Sequence, residues 1–102
     1  MKRKLILNDL TNNCESTARM LKLLAHPHRL QLLCHLVDSE KTVGELEDLC
    51  GASQSVVSQF LGRMKSEGLV DSSKEGQFVR YRIADRRISR VMKALQTIYC
   101  AE

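Results

Sequence analysis

The sequence predicts a mostly helical α+β domain, in which four helices precede a β-hairpin and a last helix (order α-α-α-α-β-β-α). Apolar residues recur at three- and four-residue spacing along most of the chain and alternate strictly only in residues 78–83. Glycines interrupt the pattern at Gly51, Gly68 and Gly76. Because 102 residues supply one core, we expect a single domain over residues 1–102 with a mobile start, residues 1–11.

The first two helices are separated by Pro27. An apolar stripe predicts a helix over about residues 13–25; its members are Ala18, Leu21, Leu24 and Ala25. Pro27 suits the first position of a second helix, which runs to about Val37, because its missing N–H would be unpaired there. Two adjoining apolar rows predict that this helix is central and mostly buried; they are Leu30, Leu33 and Val37, and Leu32 and Leu36.

The next two helices meet at Gly51 and predict a helix-turn-helix. Thr42 and Glu45 have the spacing of a capping box at the start of the third helix. Its expected buried residues are Val43, Leu46 and Leu49. Ser53 is a suitable N-cap for the fourth helix, which spans roughly residues 54–67 and ends before Gly68. Its expected buried residues are Val57, Leu61 and Met64.

The outer face of the fourth helix is polar and carries no acidic side chain near its start. Amides and hydroxyls at a helix N-terminus can contact phosphates and also read base edges, so this face predicts DNA binding. The predicted DNA-binding residues here are Ser53, Gln54, Ser55, Ser58, Gln59 and Arg63. The alternative is an ordinary helical hairpin with a polar face toward solvent.

A β-hairpin is predicted from residues 69–74 and 78–83, joined by Glu75, Gly76 and Gln77. In its second strand Val79, Tyr81 and Ile83 alternate with Phe78, Arg80 and Arg82. A hairpin directly after a recognition helix is the arrangement of a winged helix, and its wing reaches a neighbouring groove or phosphate. The predicted DNA-binding residues of the wing are Lys74, Gln77, Arg80 and Arg82.

A last helix is predicted from Asp85, its cap, down to Cys100. Its apolar stripe comprises Ile88, Val91, Met92, Leu95, Ile98 and Tyr99. A small domain has few places to bury so long a stripe. We therefore expect the first and last helices to form a homodimer, whose two-fold symmetry requires a pseudo-palindromic site in double-stranded DNA.

The net charge of +4 is unevenly distributed. Residues 74–90 hold six basic and two acidic side chains, whereas residues 38–50 hold five acidic and one basic. This polarity suits a phosphate-binding face, with a scattered excess as the alternative. No apolar run approaches a membrane span, and residues 1–4 precede no signal-peptide apolar region, so we expect no membrane association and a cytoplasmic location. An enzyme is not expected, because no cysteine has a base at a motif spacing and no glycine-rich loop is present.

The chain resembles the ArsR/SmtB-type winged-helix repressors of bacteria along nearly its whole length. The motifs that carry the resemblance are residues 24–30 (LAHPHRL), 43–46 (VGEL), 53–61 (SQSVVSQFL), 68–70 (GLV) and the Glu75-Gly76 wing. The resemblance implies a homodimer held by the first and last helices, with the helix from Gln54 in the DNA major groove. Phe60 departs from the pattern, which commonly has His there. We therefore do not assign to Phe60 any contact that the family's His makes.

The resemblance does not extend to the family's metal sites. Those sites use a thiolate pair on the helix before the recognition helix, or His and Asp ligands on the last helix. Residues 45–49 are ELEDL and residues 85–100 contain no His. His26, His28 and His35 have no matching carboxylate or second ligand group. We expect no metal and no cofactor.

The resemblance does extend to the branch that senses reactive sulfur species or oxidants, the BigR, SqrR and HlyU type. That branch has a cysteine in the second helix and another near the end of the last, here Cys34 and Cys100. It implies a dithiol-switched repressor in which these two thiols are the redox-sensing pair, although 66 positions separate them. The alternatives are two buried structural cysteines, a thiol-ligated metal or arsenite-sensing repressor, and a winged-helix protein-interaction module without DNA binding. Cys50 is expected in the core, and the role of Cys14 stays open.

Overall fold

The computed structural model describes residues 11–99. Its elements are α1 (Cys14–Leu24), α2 (Pro27–Leu36), β1 (Lys41–Thr42), α3 (Val43–Cys50), α4 (Gln54–Ser66), β2 (Val70–Glu75), β3 (Phe78–Ile83) and α5 (Arg86–Tyr99). The predicted order of helices and hairpin is confirmed, with bounds shifted by one or two residues. Of residues 1–11, which were expected to be mobile, residues 1–10 lie outside the described residues, and so does Cys100.

Strand β1 was missed by the sequence reading. It pairs antiparallel with β3, with Lys41 opposite Tyr81 and Thr42 opposite Arg80, which gives the sheet order β1-β3-β2. Two residues cannot display an alternating pattern, so only the partner strand reveals this one. The pairing joins the start of α3 to the hairpin.

Local hydrogen bonds fix the helix-turn-helix boundaries. The Thr42 hydroxyl accepts from the Glu45 backbone N–H (3.1 Å), and the Glu45 carboxylate accepts from the Thr42 N–H (2.9 Å). The predicted capping box is therefore confirmed. The Ser53 hydroxyl accepts from the Val56 N–H (3.4 Å) at the start of α4. Gly51 adopts the left-handed conformation that ends α3, with φ of 67°.

The hydrophobic core lies between α2, the helix-turn-helix and the sheet. Its most deeply buried side chains are Leu33, Leu46, Val57, Leu61, Met64, Leu69, Val70 and Met92. The central position predicted for α2 is confirmed, since Leu32, Leu33 and Leu36 are all buried. The predicted buried face of α4 is confirmed as well.

The expected burial of Leu49 was wrong. Its side chain is 49% exposed. Leu49 lies in the last turn of the short helix α3, where Leu46 is fully buried and Val43 and Cys50 pack against the core beside it. Leu49 is at the edge of this face, and no further turn of helix extends the core beneath it.

Both outer helices retain apolar surface. On α1 only Leu24 of the predicted stripe is buried, and Leu21 is 50% exposed. On α5 Ile88 and Met92 are buried, but Ile98 and Tyr99 are 65% and 80% exposed. The rest of the described chain leaves these apolar side chains uncovered. Among the described residues, no helix is long and apolar enough to cross a membrane.

Candidate nucleic-acid interface and thiol site

Helix α4 presents its polar residues to solvent. The packing of Val57, Leu61 and Met64 into the core leaves six side chains outside, namely Ser53, Gln54, Ser55, Ser58, Gln59 and Arg63. These are the residues predicted to contact DNA, and the structure brings them together on one face of α4 and its N-terminal end. Their DNA contacts stay predictions.

The six side chains differ in whether they already make hydrogen bonds within the chain. Ser53 is engaged as the N-cap, and its Oγ lies 3.4 Å from Ser55 Oγ. Within residues 11–99 the side chains of Gln54, Ser58, Gln59 and Arg63 make no hydrogen bond or ion pair. Ser53 therefore serves first to hold the helix end. The hydrogen-bonding groups of Gln54, Ser58, Gln59 and Arg63 are unoccupied within the described residues.

The wing is tied directly to the recognition helix. Lys65 Nζ on α4 donates to Ser72 Oγ on β2 at 2.6 Å, and the Leu69 N–H donates to the Met64 carbonyl at 2.9 Å. The sequence reading missed Lys65, because its partner lies in another element. These contacts fix the direction in which the hairpin leaves α4.

Two of the predicted wing cations are already paired within the chain. Arg80 Nε lies 3.2 Å from Glu75 Oε2, and Arg80 Nη1 lies 3.8 Å from Glu45 Oε1. Arg82 Nη2 lies 3.5 Å from Asp71 Oδ2. Both guanidinium groups therefore face carboxylates of neighbouring residues in the single chain, and their predicted contacts with DNA stay predictions.

Lys74 and Gln77 are different, since both are exposed and neither side chain has a partner among the described residues. Exposed ion pairs contribute about 0–1 kcal/mol, so Arg80 and Arg82 can exchange a carboxylate for a phosphate at small cost. Lys74 needs no such exchange.

Three aromatic rings form a cluster beside the recognition helix. The Phe60 ring centroid lies 5.0 Å from that of His26 and 5.2 Å from that of His28. The Nδ1 atom of His26 accepts a hydrogen bond from the His28 backbone N–H (3.1 Å) and so caps α2. Phe60, where the family pattern commonly has His, thus packs against two histidines. Within residues 11–99 no group of three or more His, Cys, Asp or Glu residues could hold a metal ion.

Cys34 lies in a groove between α2 and the end of α5. The groove has a volume of about 390 Å³ and is lined by Leu30, Cys34, Met92, Leu95, Gln96 and Tyr99. Gln96 Nε2 donates a hydrogen bond to the Cys34 carbonyl at 3.3 Å. Tyr99, the described residue that precedes Cys100 in the sequence, therefore lines the same groove as Cys34.

The other two described cysteines lie elsewhere. Cys14 is exposed at the start of α1. Cys50 is half-buried against the core, as expected, and its burial raises the pKa of its thiol. A raised pKa lowers the thiolate fraction and makes Cys50 a poorer nucleophile.

Known proteins resemble this chain over nearly its full length. Residues 26–72 match the family described as bacterial regulatory protein, arsR family. The Biofilm growth-associated repressor of Xylella fastidiosa (strain 9a5c) is 37% identical over 94 residues, covering 92% of this chain and 82% of that protein. The HTH-type transcriptional regulator YgaV of Escherichia coli (strain K12) is 39% identical over 95 residues, covering 92% and 96%.

Solved structures confirm the winged helix-turn-helix fold. The transcriptional repressor BigR from Xylella fastidiosa has a TM-score of 0.83 and 37% identity, covering 93% of this chain and 97% of that one. Reduced HlyU from Vibrio cholerae N16961 has a TM-score of 0.82 and 36% identity, covering 90% and 97%. The homodimeric winged helix-turn-helix DNA-binding domain Mb0332 from Mycobacterium bovis has a TM-score of 0.71 and 33% identity, covering 96% and 85%.

Proposed function

Since the chain belongs to the arsR family of bacterial regulatory proteins, we propose that it is a homodimeric repressor whose DNA affinity falls when Cys34 and Cys100 are oxidised or sulfurated. Membership of this family makes it a DNA-binding transcriptional regulator and not an enzyme. The observation that carries the proposed switch is the placement of Cys34 beside the end of α5.

DNA binding through α4 is supported by side chains that have no partner within the described chain. Gln54 and Gln59 carry amides that can pair with base edges in the major groove, and Arg63 can contact a phosphate or a guanine. Ser53, Ser55 and Ser58 complete the proposed α4 contact face, and Lys74, Gln77, Arg80 and Arg82 that of the wing. Both groups of residues belong to elements that Lys65 and Ser72 hold together.

Dimerisation is supported by the apolar surface of α1 and α5. Leu21, Ile98 and Tyr99 are at least half exposed in the single chain. The Mb0332 domain, with the same fold, is homodimeric. We propose that the two helices cover each other's apolar stripes in a two-fold dimer, which presents two copies of α4 to a pseudo-palindromic operator.

The thiol switch is supported by the surroundings of Cys34. The described part of α5 ends at Tyr99, which lines the groove next to Cys34, and Cys100 is the next residue in sequence. Gln96 donates a hydrogen bond to the Cys34 carbonyl, and Cys100 follows Gln96 by four positions in the sequence. We propose that this arrangement gives Cys34 a partner thiol within reach.

The chemistry requires an external oxidant. With hydrogen peroxide, one thiolate attacks an oxygen to give a sulfenic acid and hydroxide, and the second thiol displaces water from the sulfenic acid to form a disulfide. With a polysulfide, the first thiolate attacks a sulfane sulfur, an S–S bond of the polysulfide breaks, and the shortened polysulfide leaves a persulfide behind. The second thiol then attacks the inner sulfur of this persulfide, which forms the disulfide and releases hydrogen sulfide. A second polysulfide can instead convert the second thiol to a persulfide and leave one sulfur shorter. One persulfide then attacks the other, which releases hydrogen sulfide and leaves a trisulfide bridge.

The link changes DNA affinity through the dimer. It would join α2, which packs at the centre of the core, to the end of α5, which we place in the dimer contact. A changed angle between subunits alters the spacing of the two α4 helices, and both must enter successive major grooves about 34 Å apart.

The experiment is a mobility shift on the protein's own promoter region, with reduced, polysulfide-treated, peroxide-treated and metal-loaded protein. We expect release from DNA after polysulfide or peroxide, together with a Cys34–Cys100 cross-link in the mass spectrum. Cys34→Ser and Cys100→Ser should abolish release, whereas Cys14→Ser, the matched control, should keep it. Unchanged inducibility in both Ser variants would reject the switch. Release by metal or arsenite under reducing conditions would favour a thiol-ligated metal sensor instead.

A further inference from the structure

Phe78 is an exposed aromatic residue that neither the core nor the proposed dimer explains. Its side chain is 61% exposed. Three other large exposed apolar residues, Leu21, Ile98 and Tyr99, lie on the dimer-forming helices α1 and α5. Phe78 lies instead on the wing, where we expect DNA.

The fold places Phe78 at the tip of the wing. It is the first residue of β3 and pairs with Glu75, so that only Gly76 and Gln77 form the turn. Gly76 has a φ of 63°, a backbone conformation that suits such a two-residue turn. Along β3, Phe78 lies on the same face as Arg80 and Arg82, because alternate residues of a strand share a face.

The length of the wing matches the distance to a neighbouring groove. Its root is fixed to α4 directly before β2 begins, where the Leu69 N–H donates to the Met64 carbonyl at 2.9 Å. From the root, the six residues of β2 extend about 17 Å at about 3.4 Å per residue. Successive major grooves are about 34 Å apart, so the minor groove beside the one that holds α4 lies about half that distance away.

The charges around Phe78 also suit a nucleic acid. Gln77 precedes Phe78 in the turn and carries an amide that has no partner among the described residues. Arg80 lies on the same face of β3 as Phe78, whereas Lys74 pairs with Val79 and lies on the other face of the hairpin. The carboxylate of Glu75, the acidic group at the tip, is paired with Arg80 at 3.2 Å and so presents little net negative charge. When a partner covers an exposed aromatic ring, apolar surface is removed from water and the free energy falls.

We propose that Phe78 inserts as an apolar wedge into the minor groove beside the half-site and partly unstacks one base step. Proteins that place Phe or Leu in this way use flexible pyrimidine–purine steps and bend the duplex toward the major groove. The proposal rests on the DNA-binding function and deepens it. It predicts that the wing prefers flexible base steps in the DNA, at operator positions whose bases α4 does not contact.

The test compares wild type with Phe78→Ala and Phe78→Leu on two operators. One carries a TA step under the wing, with its adenine replaced by fluorescent 2-aminopurine, and the other carries a stiff A-tract there. Wild type should bind the TA operator about tenfold more tightly than the A-tract operator and raise the 2-aminopurine fluorescence. Phe78→Ala should lose both the preference and the rise, and Phe78→Leu, still an apolar wedge, should keep most of each.

The matched control is Leu49→Ala, which removes a similarly exposed apolar side chain from α3. It should leave the preference and the fluorescence unchanged. Equal behaviour of wild type and Phe78→Ala on both operators would overturn the wedge, and so would a uniform loss of affinity without a fluorescence change. Wild-type protein that binds neither operator in either thiol state would refute the DNA-binding function as well, which distinguishes the two failures.

Discussion

Arg29 and Glu67 form an ion pair, with 2.7 Å between Arg29 Nη2 and Glu67 Oε1, that joins helix α2 to the end of the recognition helix α4. The same guanidinium donates from Nη1 to the Leu23 carbonyl at the end of α1, at 2.9 Å. Arg29 is only 8% exposed. One side chain therefore connects a proposed dimer helix, the central helix and the recognition helix.

Replacing Arg29 should destabilise the fold strongly. Arg29→Ala leaves the Leu23 carbonyl and a partly buried carboxylate unpaired, and we expect a loss of about 2–4 kcal/mol. Urea unfolding measures it. Glu67→Gln, which keeps a hydrogen-bonding group in place, should cost about 1 kcal/mol. An unchanged urea midpoint in Arg29→Ala would contradict this role.

The salt dependence of DNA binding should separate Lys74 from Arg82. Lys74 has no partner among the described residues, and Lys74→Ala should reduce the slope of log affinity against log salt by about 0.9. Arg82→Ala should change the slope less, because its guanidinium already pairs with Asp71. Titrations of one operator at several salt concentrations measure both slopes. A larger change for Arg82→Ala would show that its ion pair opens fully on DNA.

Gln59 should read a base pair. Gln59→Ala should reduce discrimination at one operator position by about 1–3 kcal/mol and leave binding to random DNA nearly unchanged. Arg80→Ala is the comparison, since loss of a phosphate contact should weaken all sequences alike. Competition with single-base operator variants measures both effects. An equal loss on specific and random DNA in Gln59→Ala would remove its base-reading role.

The capping box should make the start of α3 sensitive to acid. The hydrogen bond from the Thr42 backbone N–H, with a further contribution from Arg80, holds the pKa of Glu45 below its ordinary value. A lowered pKa in the folded state stabilises the fold above the unfolded value of about 4.3, and this stability is lost as the pH falls through the folded value. Glu45→Gln should therefore lower the urea midpoint at pH 7 but not at pH 2. An equal decrease at both pH values would show that the charge is not responsible.

Dimerisation should depend on the exposed apolar residues of the outer helices. Leu21→Glu or Ile98→Glu would place a carboxylate in the proposed contact and shift the protein to monomers at micromolar concentration. Leu49→Glu, an exposed apolar position on α3, is the control and should leave the dimer intact. Sedimentation velocity distinguishes the species. Monomeric wild-type protein at this concentration would reject the proposed assembly.

The sequence by itself determined the features that depend on near neighbours. The Thr42–Glu45 capping box, the Ser53 cap, the glycine at Gly51 and the buried face of α4 each involve residues at most a few positions apart. Side chains at such spacing meet on a single helix whatever the rest of the chain does. For this reason the order of helices and the polar face of α4 could be predicted, and the family resemblance agreed with both.

Only the tertiary structure decided the contacts between distant segments. It paired Arg80 and Arg82 with carboxylates, connected Lys65 to Ser72, left Leu49 exposed and placed Cys34 beside Gln96, 62 positions away. The spacing of residues in the sequence does not predict these contacts, because they depend on how whole helices and strands pack. The sequence therefore determined which face of each element is polar, and the packing of the elements determined which of those polar groups are already paired within the described chain.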